Sequence, residues 1–415
     1  MPFTIHALLP ACWPSRARRP HEPAMSTAVR VILAHCRYRS GIPSGENSAV
    51  DRQAAWMEAA GIPLIRWERR SDDLLAAGRW AQARAAWALP GNAARRRALV
   101  HELRPLADGR TVLHLHNPWP LYTYDLAQAA QSVGIPVVQT LHNYRLIASN
   151  QRWVSDGRLR RPTTAAEQAH VSALGAMHHG RLAEWAYRRA LSRLWRQNQP
   201  ATALTTLICL SHFQQQQVIA AGIPASRTTV IPNAMPDPGP PPNQRPAGEY
   251  ALFVGRLDSM KGIDWLMQAW PACGLPLTVV GDGPLAACCQ GIPGVNWLGS
   301  QPTEHVQRLM AGARLLVMAS RWYEGHPLVL VEALARGLPC LVPDLGGLPE
   351  VIHGEIGRVY RPGDKADLAS QAQTLWHNPP PAATCYAAFT AHYEQAAHRA
   401  RLEECWRHAL AVGTP

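Results

Sequence analysis

The 415 residues are enough for more than one hydrophobic core, and 47% hydrophobic against 17% charged residues exclude an intrinsically disordered chain. The net charge of +12 favours a phosphate-bearing or membrane-surface partner. Without a helix-turn-helix or other base-reading motif, nucleic acid is not an expected partner.

In chain order, residues 1–25 hold five prolines and no periodicity. They read as a disordered extension, or as a mis-assigned start with Met25 the initiator. From Val29 short apolar runs alternate with helical patterns, the signature of a parallel α/β sheet. Val29–Cys36, Thr111–Asn117, Ile135–Asn143 and Leu204–Leu210 read as strands. Helices are expected at Ser48–Ala60 and Tyr124–Val133, with Ser211 capping another. Between Asn150 and Pro200 the pattern breaks into a loop and a long basic helix. Pro236–Gly248 is too rich in proline for helix or sheet and reads as a stiff linker. The alternation then resumes, with strands at Ala251–Leu257, Leu275–Val280, Arg314–Ala319 and Leu338–Val342. The expected organisation is a first unit over 26–235, the linker over 236–248 and a second unit over 249–380. Residues 381–415 should form a C-terminal helix crossing back to the first unit. The fold class is therefore α/β, two doubly wound parallel sheets facing each other, with ligands beyond the carboxyl ends of the strands.

No apolar run approaches the ~20 residues of a membrane-spanning helix. Nine cysteines without a C-x-x-C pair suggest neither a zinc site nor a disulfide framework, and favour a reducing, cytoplasmic location. On a helical projection Arg181, Arg188, Arg189, Arg193 and Arg196 share a face of roughly 140°. That face is either simply solvated or drawn to anionic headgroups as a peripheral membrane contact.

The most informative segment is S-R-W-Y-E-G-H-P-L-V-L-V-E-A-L-A-R-G-L-P, Ser320–Pro339. A strand ends near Ser320, Pro327 suits a helix start and Gly337 stops that helix. Amides of Gly325, His326 and Leu328 at its start suit an anion, and Glu332 lies one turn inside. Arg256 and Lys261 follow a strand, where two cations can clamp a diphosphate. Gly281, Asp282 and Gly283 form a tight turn after another. His114 and His116 share a strand face, but no third metal ligand accompanies them.

Ser320–Pro339 resembles the Glu, seven residues, Glu motif of glycosyltransferase family 4, whose members have the glycosyltransferase B fold. D-L-G-G-L-P-E-V-I (Asp344–Ile352) and F-V-G-R-L-D-S-M-K-G (Phe253–Gly262) are similar to further signatures of that family. So are S-G-E-N at Ser44–Asn47, H-L-H-N-P at His114–Pro118 and Q-T-L-H-N-Y-R at Gln139–Arg145. The resemblance implies a retaining, largely metal-independent transfer of a sugar from a nucleotide diphosphate donor to an acceptor hydroxyl, such as a lipid-linked or polysaccharide precursor. It implies no cofactor. It places Arg256 and Lys261 on the leaving diphosphate, Glu324 on donor-sugar hydroxyls, Glu332 on the ribose and His142 at the reaction centre. Backbone at Gly45 would lie near the donor phosphate. The rival readings are a nucleotide-sugar epimerase on the same fold and an inactive nucleotide-sugar-binding protein.

Overall fold

The computed structural model describes residues 29–38, 40, 44–147, 154–155, 158–159, 180–241 and 248–413. The segment at 1–25, much of the loop after Asn150 and the middle of the proline-rich linker lie outside them.

The first unit contributes β1 (Arg30–Arg37), β2 (Leu64–Arg70), β3 (Thr111–Leu115), β4 (Val137–Leu141), the short antiparallel pair β5 (Val154–Ser155) and β6 (Arg158–Leu159), β7 (Thr206–Cys209) and β8 (Thr228–Val230). The second contributes β9 (Ala251–Val254), β10 (Leu277–Val280), β11 (Val295–Trp297), β12 (Leu315–Val317), β13 (Cys340–Pro343) and β14 (Gly357–Tyr360). Two six-stranded sheets result, ordered β2-β1-β3-β4-β7-β8 and β11-β10-β9-β12-β13-β14. Every pairing within them is parallel.

The inner strands are apolar runs because helices cover both faces of a parallel sheet. All residues of β3, β4, β7, β10, β12 and β13 are buried, whereas β2, β8 and β11 have none that is. Strand order reverses between β1 and β3 in the first sheet and between β9 and β12 in the second. These are the switch points where crevices open at the strands' carboxyl ends.

Two passes of the chain join the units. Met235 leaves the first, donating its N–H to the Tyr393 carbonyl at 3.1 Å and accepting from Gln395 at 3.0 Å. The Ala382–His392 helix packs on the second unit through Cys385 and Phe389. The Gln395–Gly413 helix then crosses to the first sheet, where Trp406 stacks on Trp56 at 6.1 Å. Its Leu402, Trp406 and Ala409 share a core with Val112, Val138 and Ile208. Among the described residues no helix is long and apolar enough to cross a membrane.

Candidate active site between the two sheets

At the β9/β12 switch point the second unit concentrates charge. The loop after β9 is built on Asp258, whose Oδ1 accepts the backbone N–H groups of Met260 (3.1 Å) and Lys261 (2.9 Å). Its Oδ2 accepts from Arg256 Nε at 2.6 Å. Lys261 Nζ lies 2.6 Å from Glu324 Oε1, which also accepts from Ser320 Oγ (2.6 Å) and Trp322 Nε1 (2.9 Å). Both expected cations therefore have carboxylate partners, and the expected sugar-binding carboxylate has one oxygen engaged by three donors.

Gly262, at φ +69°, fixes this loop against β12: a Cβ there would sit 2.0 Å from the Ala319 carbonyl oxygen. Gly281 and Gly283 are constrained similarly. Their Cβ positions would fall 1.8 Å from Gly255 O and 2.5 Å from Leu257 O. Leu257 donates its N–H to Asp282 O at 2.9 Å. The G-D-G turn thus lies directly against the backbone that carries Arg256, and that contact accounts for its glycines.

The first unit presents neutral imidazoles. His114, on β3, and His116, just past its end, stack with centroids 4.5 Å apart, and His116 stacks on His142 at 5.1 Å. Gln53 Nε2 donates to His114 Nδ1 at 3.0 Å, so His114 Nε2–H donates to Thr140 Oγ1 at 2.8 Å. Both ring nitrogens of His114 are thereby occupied, and the pair does not converge on one point as metal ligands would. His116 Nδ1 and His142 Nε2 share a proton across 2.8 Å. Burial lowers the pKa of His114 to about 3 and of His142 to about 4. His116 is held well below the usual imidazole range by burial, then by its neighbouring histidines.

The two walls meet. Gly45 opens the Gly45–Ala59 helix, which starts earlier than the expected Ser48 because Ser44 Oγ accepts the Asn47 N–H at 3.3 Å. A Cβ on Gly45 would touch Leu328 across the cleft at 4.0 Å, and one on Gly325 would lie 3.4 Å from the His142 carbonyl oxygen. Arg52 Nη1 reaches Glu332 Oε1 at 3.4 Å. Asn233 Nδ2 donates to the His326 carbonyl at 2.8 Å, while the His326 ring is buried beside Tyr393. Glu350 accepts the backbone N–H groups of His212 (2.7 Å) and Phe213, capping a helix of the opposite unit. A cavity of about 30 Å³ behind His142 is lined also by Arg52, Gln53, Thr140 and Asn233.

The fold therefore gathers Gly45, His142, Gly325, His326, Leu328 and Glu332 at the contact of the two units. Arg256, Lys261, Glu324 and the Gly281–Gly283 turn line the second switch point. Sequence reasoning missed Asp258, Ser320, Trp322, Arg52, Asn233 and Glu350. Asp258 had a legible signal, an Asp three residues before Lys261 in position to cap the turn. Arg52 and Asn233 meet their partners only through tertiary structure.

Two family models match the chain. The one described as Glycosyltransferase Family 4 covers residues 45–237, and Glycosyl transferases group 1 covers 248–378. The lipopolysaccharide 1,6-galactosyltransferase of Escherichia coli (strain K12) is 30% identical over 188 residues, 39% of this chain and 50% of that protein. Other curated relatives are spanned over as little as 20% and up to 60% of their length. Among solved structures, the sucrose-phosphate synthase of Thermosynechococcus elongatus superposes with a TM-score of 0.66 at 17% identity, over 92% of this chain and 100% of that one. Anabaena HepE in complex with UDP superposes with a TM-score of 0.60 at 17% identity, over the same shares.

Proposed function

Since the chain belongs to glycosyltransferase family 4 and has the glycosyltransferase B fold, we propose that it transfers a sugar with retention from a nucleoside diphosphate sugar to an acceptor hydroxyl. One observation carries this reading. Two cations, each bridged to a carboxylate, stand at the second sheet's switch point, within the cleft that His142 lines from the other side. A donor diphosphate can take the place of those carboxylates as the partner of Arg256 and Lys261. Released from Lys261, Glu324 accepts hydrogen bonds from donor-sugar hydroxyls, and Glu332 exchanges Arg52 for the ribose.

In the reaction the bond from the anomeric carbon to the leaving phosphate breaks. The acceptor oxygen bonds to that carbon on the same face, and its proton passes to a phosphate oxygen. Arg256 and Lys261 stabilise the charge that develops on the diphosphate. They supply the role a divalent ion has elsewhere, so turnover is expected to survive excess chelator. No enzyme nucleophile is needed.

The relative acting on lipopolysaccharide and the UDP-bound neighbour favour a uridine donor and an envelope-polysaccharide acceptor. The epimerase and inactive-binder readings lose ground because the matched curated relative is a galactosyltransferase. Thermal denaturation with UDP, GDP and ADP sugars identifies the donor, since a ligand of the native state raises its melting point. Proton spectroscopy of the first product then reads the anomeric configuration. An inverted linkage contradicts the same-face mechanism.

A further inference from the structure

The helix at Gly180–Arg196 bears the arginine face seen in the sequence, and its surroundings carry a second feature. Of the six exposed large apolar side chains among the described residues, four lie on three neighbouring helices: Leu75, Trp80, Trp87 and Trp185. Trp80 is 87% exposed, Trp87 68% and Trp185 51%. Single exposed apolar residues are ordinary, but three indoles on one surface are not.

Helical geometry aligns them. Trp80, Arg84 and Trp87 fall within about 60° of one another on the Gly78–Ala88 helix. Trp185, Arg188, Arg189, Arg193 and Arg196 share one face of the Gly180–Arg196 helix. Its opposite face, with Ala186, Ala190, Leu191 and Leu194, is buried in the first unit's core. Arg189 joins the two stripes, with its guanidinium carbon 4.5 Å from the Trp87 ring centre and 5.8 Å from that of Trp185. Its buried Nη1 has no hydrogen-bond partner among the described residues. No carboxylate lies within ion-pair distance of Arg79, Arg84, Arg188, Arg189 or Arg193 among them either.

We propose that Trp80, Trp87 and Trp185, with Arg84, Arg188 and Arg193 around them, form a surface that inserts into the interface of an anionic lipid bilayer. Indoles partition to the headgroup boundary, and the surrounding guanidinium groups pair with phosphates. A second copy of the chain fits less well, because a two-fold contact through this patch would set arginines against arginines. The helix that carries Trp185 also reaches the first unit's side of the cleft. Trp195, on the same helix, donates Nε1–H to the Leu146 carbonyl at 2.9 Å, in the loop that follows His142. Docking there would hold the acceptor side of the cleft near a lipid-borne substrate. The inference does not depend on the donor chemistry proposed above.

The test is co-sedimentation of the full chain with phosphatidylcholine vesicles, with and without phosphatidylglycerol, at low and high salt. The wild type should pellet with the anionic vesicles and keep part of its binding at high salt, because insertion of indoles is not screened. Combined Trp80→Ser, Trp87→Ser and Trp185→Ser should lower the partition coefficient on the order of tenfold and abolish the salt-resistant fraction. Arg84→Gln with Arg188→Gln and Arg193→Gln should remove mainly the low-salt part. Quenching of tryptophan emission by brominated lipid should follow the wild type and fail with the tryptophan variant. Three results would overturn the proposal: no pelleting of the wild type, unchanged pelleting of the tryptophan variant, and a dimer that this variant dissolves.

Discussion

On the second unit's wall of the cleft, Arg256 faces Asp258 and Lys261 faces Glu324; the first unit's wall, apart from Arg52 at its rim, presents the neutral imidazoles of His114, His116 and His142. Under the proposed transfer, the difference follows from what each wall would meet. A diphosphate brings negative charge, so its wall needs cations, and cations left without partners in a crevice are costly. Carboxylates keep them paired until the donor takes over. The reacting sugar gains positive character at its anomeric carbon, as in other glycosyl transfers. His142, kept neutral by burial and backed by His116, can stand beside that carbon without adding opposing charge.

Removing a cation should disturb this division most. Lys261→Ala and Arg256→Ala should each fold and lose turnover by on the order of a hundredfold. Steady-state rates with the donor found by thermal denaturation check this; wild-type rates in both would abolish the contrast between the walls. Glu324→Gln, which keeps acceptors for Ser320 and Trp322 but breaks the ion pair, should cost on the order of tenfold in kcat/KM. On the other wall, His116→Leu leaves His142 Nε2 without its partner. A loss of roughly tenfold in kcat with little change in KM is expected, as for a positioning group. His116→Asn, whose amide can donate from nearly the same place, should recover part of it. Equal damage from both substitutions would mean that packing, not the shared proton, is what His116 provides.

Acidification probes the imidazole wall as a whole. His114 and His142 are free to protonate near 6.5 when unfolded but only at about 3 and about 4 in the fold. The unfolded chain therefore binds more protons through that interval, and stability falls as pH drops from about 6.5 toward 4. A melting temperature measured from pH 7 to pH 4.5 should decline, and decline less steeply in His114→Gln. The smallest effect is at the junction of the walls. Glu350→Ala removes an interunit helix cap and should lower stability by about 1 kcal/mol without altering donor affinity.

The legible part of the fold was its interior. The inner strands could be read because burial on both faces makes them apolar runs, as in Val31-Ile32-Leu33 or Leu315-Leu316-Val317. In the two six-stranded sheets the strands that went unread, β2, β8, β11 and β14, are the four edges. L-I-R-W-E-R-R of β2 carries four charges because one side meets solvent, and nothing in it distinguishes strand from helix. The site divides similarly. Motifs local in sequence were visible, including Arg256, Lys261 and the Glu324–Glu332 segment. Their partners were not, because Glu332 meets Arg52 across 280 positions and Glu350 caps a helix 137 and 138 positions away. The basic helix was visible as charge alone. Its tryptophan neighbours Trp80 and Trp87 sit on a helix brought alongside only by folding.

The central claim is that Arg256 and Lys261 exchange their carboxylates for a donor diphosphate. Calorimetric titration of the wild type and of Arg256→Ala/Lys261→Ala with nucleoside diphosphates and the matching monophosphates tests it most directly. The wild type should prefer the diphosphate by at least tenfold, and the double variant should bind both forms alike. A diphosphate preference that persists undiminished without the two cations would contradict the account.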